Sequence, residues 1–244
     1  MEISLAAEKI FSIGPIPITN TILTTWIVTI ILIATAYVAT KKVALVPTGL
    51  QNVAEAAIEA FQDLVFSVAG QKTRVFLPIV ASFFFFILFG NYFGILPGIG
   101  SIGFFLHHNG KEVFVPLFRS INSDLNTTVA LALVSLFTTH YLAIRYLGLG
   151  GYLGKFVSVN PIFFFVGLME IVSEITKIFS LSFRLFGNIY AGEVLLNTAS
   201  TRLFAFIIPI PFYFLELLVG FVQALIFAML TLVFMVILTQ KSEH

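Results

Sequence analysis

The sequence predicts an all-α membrane protein with about five membrane-inserted helices, the last two long and strongly tilted, plus one amphipathic surface helix. Three observations carry that expectation. Hydrophobic residues make up 59% of the chain and charged ones only 10%, far from the balance of a water-soluble domain. Mean hydropathy is +1.03, and 29 phenylalanines would have to be hidden if the solvent were water. The apolar residues also fall into runs of spanning length separated by short polar stretches.

Taken in order, the chain reads as a single membrane domain, 1-244. Glu2 and Glu8 precede any Arg, and the apolar run from Ile22 to Ala39 is long enough to span, so the start does not read as a cleavable signal. The first span, about 19-40, closes on Lys41-Lys42, a basic pair of the kind kept on the cytoplasmic side. The N-terminus is therefore expected outside.

About 49-69 reads differently. Val53, Ala57, Phe61, Leu64 and Val65 recur at helical spacing, with Gln51, Asn52, Glu55, Glu59, Gln62 and Asp63 between them. That pattern predicts an amphipathic surface helix. Its acidic face argues against anionic lipid and for packing on its own bundle or a partner subunit, with an ordinary extramembrane helix as the alternative.

A second span, about 75-96, includes the run Phe83-Phe84-Phe85-Phe86 and ends at Gly94 and Pro97, with Asn91 near its close. Between Gly98 and Asn126 the glycines and Pro116 break up short apolar pieces, which predicts a hairpin or irregular loop. A third span, about 127-147, precedes Gly148 to Asn160, read as a Gly-rich loop.

The last two segments, about 161-197 and 203-240, are too long for upright spans. At nearly forty residues each they would measure roughly 55 Å against a hydrocarbon core of ~30 Å. Steep tilt accommodates them; a break near Gly187, Pro209 or Pro211 is the alternative.

With this topology Lys41, Lys42, Lys72, Arg74, Arg145, Lys155 and Lys241 fall inside, against Lys9, Lys111, Arg119 and Arg202 outside. The C-terminus is then cytoplasmic.

Composition also excludes. Zero cysteines remove disulfides, thiol catalysis and thiolate metal sites. A net charge of +1 offers no footprint for nucleic acid. His107, His108, His140 and His244 are not grouped with carboxylates at metal-ligand spacing, so neither a metal nor any other cofactor is expected.

The chemistry concentrates in 161-197. Glu170, Glu174, Lys177, Arg184 and Asn188 share one helical stripe, with Ser173 and Ser180 beside it, Glu193 about a turn beyond, and Phe, Ile, Leu and Val opposite. In the last segment Glu216 and Gln223 also share a face. An intramembrane charge costs at least ~2.5 kcal/mol on insertion scales, so such residues face partners or water and are functional by default. A guanidinium cannot shed its proton at accessible pH, which makes Arg184 a fixed charge and not a carrier. Glutamates can accept and release protons when buried.

If the two long helices run antiparallel, Glu193 faces Glu216 and Arg184 faces Gln223. A structural salt bridge is the alternative for Arg184. For Lys177, pairing with Glu170 or Glu174 is favoured over transport. Ser173, Ser180 and Ser182 bond the preceding turn, and Tyr190 and Tyr213 read as interface anchors.

The string Ser182-Phe183-Arg184-Leu185-Phe186-Gly187-Asn188-Ile189-Tyr190-Ala191-Gly192-Glu193 resembles the signature of subunit a of F-type ATP synthases. Gln223-Ala224-Leu225-Ile226-Phe227, Ser123-Asp124-Leu125-Asn126-Thr127-Thr128 and Pro17-Ile18-Thr19-Asn20-Thr21 extend the resemblance along the chain. It implies an ion-translocating stator subunit of the membrane Fo sector, without catalytic activity of its own, in the bacterial plasma membrane. The implied partners are a c-ring, peripheral-stalk b subunits, the F1 sector indirectly, the lipid bilayer and the translocated H+, with Na+ an alternative.

In such a subunit the two long tilted helices lie against the ring. The arginine matched by Arg184 faces the ring carboxylate and separates two offset half-channels, so that H+ flow drives rotation and ATP synthesis. The positions matched by Asn188, Glu193, Glu216 and Gln223 belong to the outer path or the arginine's surroundings, and Glu170 to the inner side. Some bacterial members carry a histidine in place of Glu216, so a Glu–Glu pair would serve the outer relay here. A secondary transporter, with Arg184 binding an anion, and a structural scaffold are the competing readings from the residues alone.

Overall fold

The structure is a computed structural model that describes residues 7–96, 98–108, 111–156, 161–202 and 209–240. Glu2, Pro97, Gly110, Asn160, Leu203, Lys241 and His244, used above, lie outside them, as do the side chains of His107, His108, Lys111 and Arg202.

The chain opens with a hairpin of β1 (Lys9–Ile13) and β2 (Ile16–Thr19) that sequence patterning did not anticipate. Helix α1 (Asn20–Thr40) follows directly, with the Thr19 hydroxyl accepting from the Ile22 amide at 3.4 Å as its N-cap. Then come α2 (Leu50–Ala69) and α3 (Thr73–Ile95), joined by a single 3-10 turn. The polar connection forms the antiparallel hairpin β3 (Gly103–His108) and β4 (Lys111–Pro116). Three long helices complete the fold: α4 (Leu125–Phe156), α5 (Pro161–Arg202) and α6 (Pro209–Thr239).

By length and composition, four helical stretches among the described residues can cross a membrane: α1, α2 with α3, α4 and α6. Helix α5 is set apart by its ionisable residues. Its 42 residues correspond to roughly 63 Å and the 31 of α6 to about 46 Å at 1.5 Å per residue, both beyond a ~30 Å core. Helix α5 runs unbroken through Gly187, and among the described residues α6 spans Pro209–Thr239.

Two expectations need correction. The Gly-rich stretch after the third span is helical to Phe156. Only Gly148 leaves helical geometry, at φ 72° and ψ 164°, a conformation that costs glycine little and kinks α4 there. Helix α2 also buries a narrower stripe than its periodicity suggests: Phe61, Val65 and Gln51 are buried, while Val53, Ala57 and Leu64 are exposed. Phe61 stacks on Phe84 of α3 at 4.8 Å, which fixes α2 against the bundle by two large side chains and not by a whole face.

Helix α6 is the hub, packing on α3, α4 and α5. Gly220, Ala224 and Ala228 recur every four residues along its buried side, and small residues at that interval let membrane helices approach closely. Around them Phe76, Val80 and Ile87 of α3, Leu185 of α5, and Phe227, Leu232 and Met235 of α6 are fully buried.

Lysines close the far end of α6. Lys72 donates to the Thr239 carbonyl and hydroxyl at 3.0 and 2.9 Å, and Lys155 to the Leu238 carbonyl at 2.9 Å. They satisfy carbonyls that have no intrahelical donor and put positive charge at the negative end of the helix dipole.

Candidate functional site

Arg184 sits on the exposed side of α5 with Ser180, Phe183, Gly187, Asn188 and Ala191. Its Nη2 donates to the Ser180 hydroxyl one turn earlier at 3.3 Å. Among the described residues no carboxylate pairs with it, and no hydrogen bond joins it to Gln223, which is buried in α6. Of the two pairings expected of antiparallel helices, that of Arg184 with Gln223 therefore has no hydrogen bond among the described residues. Phe179 and Phe183 stack at 6.1 Å beside the arginine, and Leu218, Phe221 and Val222 of α6 are likewise exposed. A guanidinium carries five donors, so one hydroxyl leaves it mostly unmet by its own chain.

The five-residue stripe is divided by the packing. Helix α4 covers one edge of it, burying Glu174 and half-burying Lys177 and Glu170, while Arg184 and Asn188 remain on the open edge. Lys177 meets Glu174 Oε1 at 2.6 Å and Glu170 Oε1 at 3.9 Å, the structural pairing its spacing favours. Its ammonium also lies 4.7 Å from the Phe234 ring centroid of α6.

At the end of the bundle where α1 begins, a buried polar cluster surrounds Glu193 and Glu216. The Glu216 side chain is enclosed, with its residue only 3% exposed, and its carboxylate rests on Gly192 so closely that any side chain at 192 would overlap it. Glycine there makes room for the acid. Beside it Glu193 binds Arg119, whose Nε reaches both carboxylate oxygens at 3.3 Å and donates to Ser123 at 3.0 Å. Tyr190, expected at the interface, instead turns inward: it stacks on Phe186 at 5.4 Å and lies 5.9 Å from the Arg119 guanidinium.

Glu8, in the segment before β1, also belongs to this cluster. Burial pushes its carboxyl above the ordinary value; Arg119 draws it down and Glu193 pushes it up. Its Oε2 is buried with no hydrogen-bond partner.

Asparagines and threonines fasten the loop carrying Arg119. Asn122 donates to Asn91 Oδ1 at 2.7 Å, and Asn91 donates to the Gly220 carbonyl at 2.9 Å. Thr21 donates to Asp124 Oδ2 at 3.0 Å, while Asp124 Oδ1 accepts from the Asn126 amide. The tightened loop positions Arg119 without contributing charge of its own except at Asp124.

Arg119, Glu8 and Asn122 carried no site assignment in the sequence reading, where Arg119 was an outer-loop charge. The structure instead buries it against Glu193. An isolated Arg between Phe118 and Ser120 was the available signal. At the other end, His140 and Tyr152 were also missed; Ser182 bonds across to Thr128 at 3.2 Å and not to its own preceding turn.

Comparison with known proteins places the chain in context. The model of the family described as ATP synthase A chain matches residues 22–236. The chain is 34% identical to ATP synthase subunit a of Moorella thermoacetica over 226 residues, 93% of each protein. It is 34% identical to ATP synthase subunit a 2 of a Bradyrhizobium species over 94% of this chain and 93% of the relative. With ATP synthase subunit a of Campylobacter concisus it shares 36% identity over 89% and 88% respectively.

Proposed function

Because the chain belongs to the ATP synthase A chain family, we propose that it is the ion-translocating stator subunit of a rotary ATP synthase, with Arg184 as the fixed charge at its interface with the ring. The supporting observation is the position of Arg184: a permanent cation on the open edge of α5, in an apolar setting, held by one serine hydroxyl. Such a charge is stable in a membrane when an anion from elsewhere meets it. A carboxylate on each subunit of a c-ring supplies that anion in turn.

The work divides between ends of the bundle. In this reading the end where Lys41, Lys42, Lys72, Arg74, Arg145 and Lys155 gather, opposite the Arg119 cluster, faces the cytoplasm and the α1 start faces outside, which the excess of basic residues supports. Protons enter from outside through the polar cluster of Glu193 and Glu216, pass to the c-ring near Asn188 and Gln223, and leave it on the Glu170 side. Arg184 does not carry a proton; it holds the ring carboxylate ionised as it passes and keeps the half-paths from joining.

Within the outer path the two glutamates differ. Arg119 balances Glu193, whereas Glu216 lies against Gly192 within the apolar packing of α5 and α6. Glu216 is thus the proton carrier of the pair. The subunit itself catalyses no reaction. Peripheral-stalk b subunits hold it against rotation in a bacterial plasma membrane, and the F1 sector uses the torque.

The absence of native cysteine allows a direct test. Asn188→Cys, paired with a cysteine next to the ring carboxylate, is expected to form a disulfide on oxidation that stops ATP-driven pumping and is reversed by reductant. Cross-linking confined to exposed positions of α2, with none at 188, would overturn the assignment of this face.

A further inference from the structure

At the cytoplasmic end, α4 and α5 bring titratable groups together, joining His140 and Tyr152 to Glu174 where no spacing in the sequence connects them. After the kink at Gly148 the last turns of α4 fold back, so that the Tyr152 hydroxyl lies 2.9 Å from His140 Nδ1 on the same helix. The other ring nitrogen, Nε2, lies 3.6 Å from Glu174 Oε2 of α5. Glu174 is buried, and its second oxygen is taken by Lys177 at 2.6 Å. Glu170 lies 3.9 Å from the same lysine. From α6 the neighbours are Phe234 and Thr231, the latter sharing a hydrogen bond with Ser135 at 2.8 Å. A small crevice lined by Ser135, Thr139, Glu174, Lys177 and Leu181 opens beside the group.

Charge balance gives this arrangement a use. Glu170 is met by Lys177 and, at longer range, by Lys155, and Glu174 shares Lys177, so the Glu174 oxygen that faces His140 has no cation of its own in a medium where an unmet charge is costly. Imidazole is the side chain whose ordinary titration lies between pH 5 and 8, and here it faces the free oxygen of Glu174. A proton on His140 supplies one, with Glu174 then bridged between two cations, one on each oxygen.

We propose that His140 is a proton-loading residue of the inner path, positioned by Tyr152 and exchanging with Glu174; this rests on the stator reading above. The neutral ring keeps its proton on Nδ1, which donates to the Tyr152 oxygen, and Nε2 presents its lone pair toward Glu174. A proton leaving the c-ring reaches the Glu174 carboxyl and passes to Nε2, giving imidazolium and carboxylate. The imidazolium then releases that Nε2 proton to water in the adjoining crevice, while Nδ1 keeps its own proton on the Tyr152 oxygen, so the starting tautomer is restored. Each passage moves one proton in and one out, and pumping runs the same steps backwards.

The test uses the complete ATP synthase in liposomes, with pH set separately on the two sides. His140→Gln is expected to slow ATP synthesis several-fold and to remove the dependence of rate on inner pH between 5.5 and 8, leaving the outer-pH dependence unchanged. External imidazole on the inner side should restore part of the rate in His140→Ala. A histidine that merely pins α4 to α5 would leave the inner-pH profile intact and give no imidazole rescue, and that result would overturn the proposal. Should His140→Gln lower the yield of assembled complex, Tyr152→Phe reads the same site by shifting the inner-pH midpoint; an unshifted midpoint counts equally against it. Arg184→Ala in parallel separates the two readings. If it uncouples the complex while the His140 profile is unchanged, only the inner-path proposal fails; if it leaves synthesis normal, the stator reading fails as well.

Discussion

Gly192 and Glu216 meet across the contact of α5 and α6: the carboxylate of Glu216 fills the space that any side chain at 192 would occupy. With a Cβ at 192, the carboxylate end of Glu216 would have to shift from this position.

Replacing Gly192 by alanine should therefore displace the acid. The expected cost is about 1 to 3 kcal/mol from overpacking, together with a several-fold loss of proton flux. Glu216→Asp, which retracts the carboxylate by one methylene, should partly relieve Gly192→Ala in stability. A double-mutant cycle of thermal unfolding in detergent measures that coupling, and additive costs would show the contact to be unimportant.

Arg119 and Glu193 form the counterpart ion pair. Removing the cation with Arg119→Gln leaves the glutamate without its compensating charge, at an expected cost of about 3 kcal/mol. The figure lies at the low end for a buried pair because the Glu193 side chain keeps 29% of its exposure. Arg119→Gln combined with Glu193→Gln should be milder than the single change, as read from the midpoints of thermal unfolding.

Glu8 gives the outer end a pH dependence. Burial raises its folded-state value above the ordinary 4.5, so its contribution to docking of the N-terminal segment is complete below 4.5 and is lost as pH rises through the raised value. Amide exchange in β1 and β2, expressed as the ratio of Glu8→Gln to the parent at each pH, should show increasing relative protection in the variant as pH rises. A ratio that does not change with pH would contradict this.

Lys72 and Lys155 hold the end of α6. Lys72→Met or Lys155→Met should each destabilise the final turn by about 1 kcal/mol, visible as faster amide exchange near Leu238 and Thr239 and little change near Ala224.

Much of this architecture was legible in the sequence because the bilayer enforces it. Apolar run length marked α1 and α3, excess length marked α5 and α6, and spacing placed Arg184 and Asn188 on one stripe. The glycines after Gly148 misled because glycine marks loops in general, yet only one of them leaves the helix. The following turns are instead fastened by Tyr152 to His140 and by Lys155 to the end of α6. Periodicity also could not say which edge of the α5 stripe would be covered, since that depends on where α4 packs. Arg119 was hidden for a related reason: its carboxylate partner lies 74 residues away, and a lone arginine in a loop carries no local sign of burial. Glu174 and His140, on successive helices, are joined only by the fold.

Coupled ATP synthesis by reconstituted complexes carrying Arg184→Ala tests the central claim most directly. Loss of synthesis and of ATP-driven pumping, with passive proton conductance retained after removal of F1, is the result expected of a fixed barrier between two half-paths. Normal coupled synthesis in that variant would contradict it.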